Sequence, residues 1–192
     1  MRSAFDRLIS WTGLLLAVVL LVAGGLLTWA YVFIGDEVEH QFSMQDITMP
    51  EGDALTSLPE EDQEALKPFA GSPLDTGPEA KAYADHYILA HMNEASGGKS
   101  YSEISNQLMG MSAEEQASED GQQLAALKNT LFQGNTLRGL LLYGYAFATV
   151  GTIAGIAAIA AYVGAIALLV LSALGIRHAR RTAAEEAGPA AA

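Results

Sequence analysis

The chain contains no cysteine among its 192 residues. This excludes disulfides, thiolate metal ligands, a cysteine nucleophile and a lipid-modified cysteine anchor. Basic residues are also scarce, with 10 Lys and Arg against 22 Asp and Glu and a formal net charge of −12. Acidity of this kind repels nucleic acid phosphate, so the composition argues against a nucleic-acid partner.

Charge is absent from two long stretches of the chain, residues 8–34 and 139–176. Between Asp36 and Arg138 there are 19 acidic residues and five basic ones, a net charge of −14, while the rest of the chain carries +2. This separation explains how a chain with 51% hydrophobic residues can also be strongly acidic. It predicts an all-α membrane protein, with two transmembrane helices and a small helical domain between them.

The first uncharged stretch predicts transmembrane helix 1 over residues 8–34. A helix needs about 20 apolar residues to cross a hydrocarbon core of about 30 Å. Trp11 and Trp29 are separated by about 27 Å along a helix, which suits the two interfacial aromatic belts. The alternative is a cleaved signal peptide, whose apolar region is only about 7–15 residues long and ends in small residues. Because this run is longer and ends in bulky Tyr31 and Phe33, we expect a retained anchor.

The second uncharged stretch, residues 139–176, would extend for about 57 Å as one helix, nearly twice a bilayer core. It is either one long helix, transmembrane in its C-terminal part, or a hairpin of two short spans. The basic cluster Arg177–Arg181 follows directly, and basic flanks favour the cytoplasmic side. We therefore expect one long helix, a cytoplasmic N-terminus over residues 1–7 and a disordered cytoplasmic tail over residues 177–192.

Small residues in both spans predict close helix packing. Gly151 and Gly155 form a GxxxG motif, Gly164 continues the small-residue pattern, and Gly24 and Gly25 are the counterparts in the first span. Packing of the two spans within one chain is favoured over self-association. Neither span carries an ionisable residue in its interior, which argues against a transporter or channel.

The region between the spans divides into two parts, both expected outside the cytoplasm. Residues 35–75 are acidic, show no sustained period and predict a loosely structured segment. Residues 76–138 predict a helical domain, because capping boxes occur at Thr76–Glu79, Ser100–Glu103 and Ser112–Glu115. The last of these is expected to open a helix that leads to the second span.

Aromatic residues mark the candidate functional surface of this helical domain. Ala84, Tyr87, Ile88 and His91 recur at helical spacing and predict one apolar face, with His91 packed under the tyrosines and His86 exposed. The candidate interaction surface or pocket comprises Tyr83, Tyr87, His91 and Tyr101.

Candidate catalytic and metal-binding motifs are incomplete. His91 and Glu94 are spaced to share a metal, but His86 diverges from His91 by about 140° around a helix. The segment Gly98–Ser100 lacks the glycine that a phosphate-binding loop places five positions earlier, and Glu60–Glu64 lacks the ligand spacing of a calcium loop. We therefore predict no catalytic residue, no cofactor and no metal.

Two segments, ADHYILAH at residues 84–91 and EASGGKSYSEI at residues 94–104, resemble a family of small actinobacterial membrane proteins of unknown function. In that family a comparable A-D-x-I-x-x-H…A-T-G-G-K-T-Y-A-E-L segment lies between two spans, and Thr136-Leu137-Arg138 also resembles the family's entry into the second span. The resemblance implies this layout and a bacterial cell-envelope setting. Some members are labelled aromatic ring-opening dioxygenases, but this chain lacks a recognisable iron site of two His and a carboxylate.

These observations predict a non-enzymatic integral membrane protein whose outer helical domain binds another envelope protein or acts as an accessory subunit. Its expected partners are the lipid bilayer and either another envelope protein or, through the small-residue motifs, a second copy. An envelope sensor or small-ligand-binding module is the alternative, and a metal-dependent enzyme is the third hypothesis.

Overall fold

The computed structural model describes the backbone of residues 2–187 and the side chains of residues 5–182. Within that range the chain is almost entirely helical and contains no β-strand, which confirms the all-α prediction. The helices are α1 Arg2–Ser43, α2 Asp53–Thr56, α3 Glu60–Leu66, α4 Gly77–Ala82, α5 Leu89–Ser96, α6 Tyr101–Met109, α7 Ala113–Ala117 and α8 Glu119–Ala187. They form two compact units, which we name the helix pair (Met1–Ile34 with Val150–Ala192) and the helical domain (Gly35–Thr149).

The helix pair consists of the first part of α1 and the last part of α8, packed antiparallel. Both helices are long and apolar enough to cross a membrane. Their most apolar 18-residue windows are only 11% and 17% buried, so most of their apolar side chains face outward. Water would make such exposure costly, whereas lipid would not.

Both long helices continue beyond the predicted limits of the spans. α1 does not end at residue 34, because its last turns belong to the helical domain and bury Phe42. α8 is unbroken through residues 139–176, so the structure contains the single helix rather than the hairpin. The predicted disordered tail is wrong for residues 177–187, which remain helical and bury Ala179, while residues 188–192 lie outside the described range.

The prediction that residues 35–75 are loosely structured is also wrong. After α1, this segment forms α2, α3 and a short 3₁₀ turn at Lys67–Phe69. The side chains of Met49, Leu66 and Leu74 are at most 1% exposed and share one apolar core with the end of α1. The backbone N–H of Met49 donates to Ser72 O at 2.8 Å, which helps hold the segment in place. Order here comes from contacts distant in sequence, which a search for local periodicity does not detect.

The helix expected from Ser112 towards the second span is divided in two. All three predicted capping boxes are present, but α7 ends after one turn and Ser118 starts α8. The Gly121 N–H donates to Ser118 Oγ at 3.2 Å, which caps the long helix. A side chain at Gly121 would overlap the backbone of Glu115 and Gln116, so the sharp turn requires this glycine.

Candidate functional site

A widened helical turn lies at the centre of the helical domain. Residues Tyr83–Ile88 are π-helical and join α4 to α5, with the Leu89 N–H donating to Ala84 O five residues earlier. Such a turn adds one residue to the helix and is often found at functional sites. It therefore moves every later side chain around the helix axis.

The added residue changes which side chains are buried. The buried positions after Ala84 are Met92 and Ser96, each 8% exposed, with Ile88 half-buried between them. His91, predicted on the apolar face, is exposed instead. From Ala84 to Ser96 the buried or half-buried positions recur every four residues. In a regular α-helix the intervals would alternate between three and four residues, and the difference is expected when one turn contains an extra residue.

Arg138 of α8 contacts the widened turn directly. Its Nε donates to Ala84 O at 2.9 Å, and its Nη2 donates to Asp85 Oδ1 at 2.9 Å. The Arg138 and Asp85 side chains are 21% and 22% exposed. Ala84 O thus accepts from both Leu89 and Arg138, so the arginine stabilises the π-helical geometry and connects it to α8.

Lys81 completes a charged cluster at this position. Its Nζ pairs with Asp85 Oδ2 and lies 5.7 Å from the centre of the Tyr145 ring. Burial raises the pKa of Asp85, but the hydrogen bonds from Lys81 and Arg138 outweigh this effect and hold it below its usual value. The hydrogen bond to Asp85 raises the pKa of Lys81 against a smaller effect of burial. Both groups are therefore held in their charged forms.

The aromatic residues predicted to form one surface separate into two groups. Tyr83, Tyr87 and His91 form a row with ring centroids 4.8 and 4.5 Å apart, and His91 Nδ1 lies 2.8 Å from Tyr87 O. Burial, with a further contribution from Tyr87, raises the pKa of Tyr83. Tyr101 lies apart from this row and packs on Phe132 of α8, with centroids 6.0 Å apart. Of the four predicted residues, Tyr87 and His91 line a common groove.

A shallow groove lies beside the aromatic row, between the widened helix and α8. Its volume is about 270 Å³, and Tyr87, Ile88 and His91 form one wall. Gln133 and Leu137 lie on the opposite, α8 wall. The groove is open and largely apolar, so it suits a protruding side chain or a small apolar molecule better than a charged substrate.

Glu79 is a buried carboxylate with a structural role. It accepts hydrogen bonds from the Thr76 N–H at 3.0 Å, the Thr76 hydroxyl at 2.8 Å, the Asp75 N–H at 3.1 Å and the Ser72 hydroxyl at 2.9 Å. Burial opposes its ionisation, but these hydrogen bonds prevail and lower its pKa. Burial and the neighbouring Glu79 charge raise the pKa of Asp75. Glu79 thereby fixes the start of α4 to the preceding segment.

The remaining histidine of this region is partly exposed, with 36% of the His86 side chain accessible to solvent. His86 Nδ1 lies 2.8 Å from Asp62 Oδ1, and the Asp62 side chain is only 13% exposed. Asp62 therefore connects α3 to the widened turn. Among the side chains of residues 5–182, no three His, Asp or Glu groups are arranged to hold a metal ion.

The small residues of the helix pair lie where the two helices meet, with one exception. A Cβ placed on Gly24 would be 2.8 Å from the Tyr162 ring, and the Tyr162 hydroxyl lies 3.1 Å from Thr28 Oγ1. Gly155 lies against the Tyr31 ring, Gly151 against Ile34 and Gly164 against Leu20. No described neighbouring atom lies within 4 Å of a Cβ on Gly25, so this glycine has open space beside it.

Large apolar side chains are exposed along α8 within the helical domain. Four of them share one side of the helix, since their positions fall within an arc of about 80° at 100° per residue. We name this set the α8 stripe: Phe132, Leu140, Tyr143 and Phe147, which are 58–69% exposed. Leu137, on the groove wall, is also 53% exposed and lies beside the stripe.

No protein-family model matches this chain, and no curated protein or solved structure shows significant similarity to it. The resemblance to the actinobacterial family therefore stays a prediction.

Proposed function

We propose that this chain is a non-enzymatic membrane protein of the bacterial cell envelope, anchored by α1 and α8. In this proposal the helical domain lies outside the cytoplasm and binds another envelope protein. The exposed arginines at Arg177, Arg180 and Arg181 support this orientation, because basic flanks favour the cytoplasmic side. The α8 stripe is the observation that carries the binding function.

Part of the α8 stripe lies on either side of Gly144, where α8 contacts the end of α1. In the helical domain, Gly144 packs against the Phe42 ring of α1. The same part of α1 carries the exposed acidic residues Asp36, Glu37 and Glu39. Charged side chains are costly in hydrocarbon. In the proposed arrangement, the end of α1 and the part of α8 packed against it therefore lie outside the membrane core. Apolar side chains exposed there are typical of a protein-binding surface.

Charge indicates what kind of protein would bind. Residues from Asp36 to Arg138 carry a net charge of −14, so two copies of the helical domain would repel each other. A different protein with an apolar patch and basic surroundings would be attracted instead. We therefore propose a heterologous partner in place of self-association through this face.

Photo-crosslinking in native membranes tests the binding function. A photoreactive amino acid at Tyr143 should yield one adduct with a specific protein, and Leu140→Asp should reduce that adduct at least about tenfold because it places charge in the apolar contact. The matched control is the same probe at Met109, which is equally exposed but lies on α6. Adducts only with lipid at Tyr143, or the same protein adduct at Met109, would contradict the proposal.

The proposed orientation has its own test, since the chain has no native cysteine. A single cysteine at Met109 should react with a membrane-impermeant maleimide in intact cells. A cysteine at Arg181 should react only after the cells are permeabilised. The reverse pattern would place the helical domain in the cytoplasm.

A second candidate function is small-ligand binding in the groove beside Tyr87 and His91. The observation that favours it is the open apolar volume of about 270 Å³ lined partly by aromatic rings. A ligand-binding protein should be thermally stabilised by an apolar compound, and Thr130→Phe should abolish that shift by filling the groove. The absence of a stabilising compound for the unmodified protein in a broad screen of apolar metabolites would count against this function.

A further inference from the structure

We infer that the helix pair binds one phospholipid whose headgroup carries a primary ammonium, as in phosphatidylethanolamine. The site is a groove of about 280 Å³ between the start of α1 and the end of α8. This inference rests on the membrane anchoring proposed above, but it does not depend on the protein partner of the helical domain.

Two serine–glycine contacts bring the helices together in this groove. Ser10 of α1 occupies the space that a side chain on Gly175 would need, and Ser172 Oγ of α8 lies 2.5 Å from a Cβ placed on Gly13. All four residues line the groove. Because the helices approach closely here, the larger side chains on either side are separated and a depression remains between them.

The Ser172 hydroxyl has no hydrogen-bond partner within the part of the chain that the structure describes, although the residue is only 4% exposed. The Ser10 hydroxyl differs, since it donates to Asp6 O at 2.8 Å. Native proteins rarely leave a buried hydroxyl without a partner. Because Ser172 lines the groove, a molecule bound there can accept its hydrogen bond. The ester carbonyl of a phospholipid is such an acceptor.

Asp6 contributes a carboxylate at the end of the groove nearest the chain termini. Its side chain is partly buried, and no described lysine, arginine or histidine forms a salt bridge with it. An unpaired carboxylate beside a membrane span is costly, so a cation is the favoured neighbour. A primary ammonium supplies both positive charge and N–H donors, whereas the quaternary ammonium of phosphatidylcholine has no N–H to donate.

His178 lines the same end of the groove from α8. An imidazole carries at least one N–H in either charge state. It can therefore donate to the phosphate, the group that follows the ammonium in such a lipid.

These groups follow one another along the groove in the order of the matching parts of the lipid. Asp6 precedes Gly13, which faces Ser172, by seven residues, or about 10 Å along α1. The bonds between the ammonium and an ester carbonyl can extend over this distance. The walls are formed by apolar side chains open to the surroundings, including Ile9 and Leu171 at 58% and 64% exposure. An acyl chain covers such walls, which a free amine or phosphate would leave uncovered.

Native mass spectrometry of the full chain in mild detergent tests recognition of the headgroup. The probes are phosphatidylethanolamine and phosphatidylcholine with identical acyl chains, which differ only in the methyl groups on nitrogen. The unmodified protein should bind phosphatidylethanolamine about tenfold more tightly, because its ammonium can donate to the carboxylate. Asp6→Asn should abolish this preference. Asp36→Asn, which removes the same charge from an exposed position far along α1, should leave it unchanged.

The ester group provides a separate test of Ser172. An ether-linked phosphatidylethanolamine keeps the headgroup and the chains but has no carbonyl. The unmodified protein should bind the ester-linked form about fivefold more tightly than the ether-linked form. Ser172→Ala should bind both forms equally. Thr12→Val, which removes an α1 hydroxyl outside the groove, should keep the difference.

The failures of the two proposals give different results. Equal binding of phosphatidylethanolamine and phosphatidylcholine by the unmodified protein would overturn the lipid site and leave the anchoring intact. A headgroup preference retained in Asp6→Asn, or an ester–ether difference retained in Ser172→Ala, would also overturn it. A dimer that binds no lipid would assign the groove to a second copy. If alkaline carbonate extracts the chain from native membranes without detergent, the helices are not in the bilayer and both proposals fail.

Discussion

Replacing Arg138 by methionine should loosen the widened turn of the helical domain. The substitution removes the hydrogen bonds to Ala84 O and Asp85 Oδ1 and keeps an unbranched apolar side chain of similar length. Hydrogen bonds to charged groups each contribute about 1.5–3 kcal/mol when they are largely buried. Because these side chains are 21% and 22% exposed, water can partly replace the lost bonds. We therefore expect a loss of about 2 kcal/mol in local stability.

Hydrogen exchange measures this loss where it occurs. A change of about 2 kcal/mol corresponds to about 30-fold faster exchange through local opening. The amides of Tyr83–Ile88 and of Leu89 should show it in the full chain in mild detergent. The amides of α6, which contribute to a separate part of the domain, should change much less and provide an internal reference.

Lys81→Met is the matched control for Arg138→Met. Lys81 pairs with the same Asp85 carboxylate, but its side chain is 47% exposed and lies one helical turn away on the same helix. Pairs of this kind contribute only about 0.3–0.5 kcal/mol, so exchange should rise at most about twofold to threefold. Equal effects of the two variants would refute the assigned role of Arg138, as would an Arg138→Met effect below about threefold.

Three further outcomes follow from the packing. Glu79→Gln should destabilise the helical domain by about 2 kcal/mol. Because the pKa of Glu79 is lowered, its stabilisation should be present above the usual carboxyl pKa and lost as the pH falls through the lowered pKa. Urea unfolding of the variant should lack this pH dependence. Gly144→Ala should lower the melting temperature, because the new methyl group would overlap the buried Phe42 ring at a cost of about 1–3 kcal/mol. Gly139→Ala should raise the melting temperature, because no described atom lies near the new methyl group and alanine favours the helix. Gly24→Leu should separate the helix pair and lower its thermal stability in detergent. The control Gly25→Leu should have little effect. A similar loss of thermal stability in both variants would show that the contact at Gly24 is unimportant.

Local signals in the sequence were sufficient to predict the two long apolar helices and the three capping boxes. The two uncharged stretches predict both long helices, because hydropathy over about 20 residues needs no information about distant contacts. The capping boxes at Ser100 and Ser112 likewise depend on residues three positions away and are present as predicted. The structure of residues 44–75 depends instead on burying Met49 and Leu74 against elements far along the chain. Neither residue belongs to a periodic pattern, so the prediction of a loose segment was wrong.

The prediction that His91 lies on the buried face is wrong for a different reason, the extra residue in the turn at Tyr83–Ile88. An uninterrupted α-helix from Thr76 would turn His91 and Ala95 towards α8, whereas the structure buries Met92 and Ser96. The residues around Ala84 do not reveal this shift, because the side chain that stabilises the widened turn belongs to Arg138, 54 residues later. The same shift leaves His91 exposed beside Tyr87, where it forms part of the groove wall instead of the core. One long-range hydrogen bond, from Arg138 to Ala84 O, thus accompanies the change that leaves His91 on the surface.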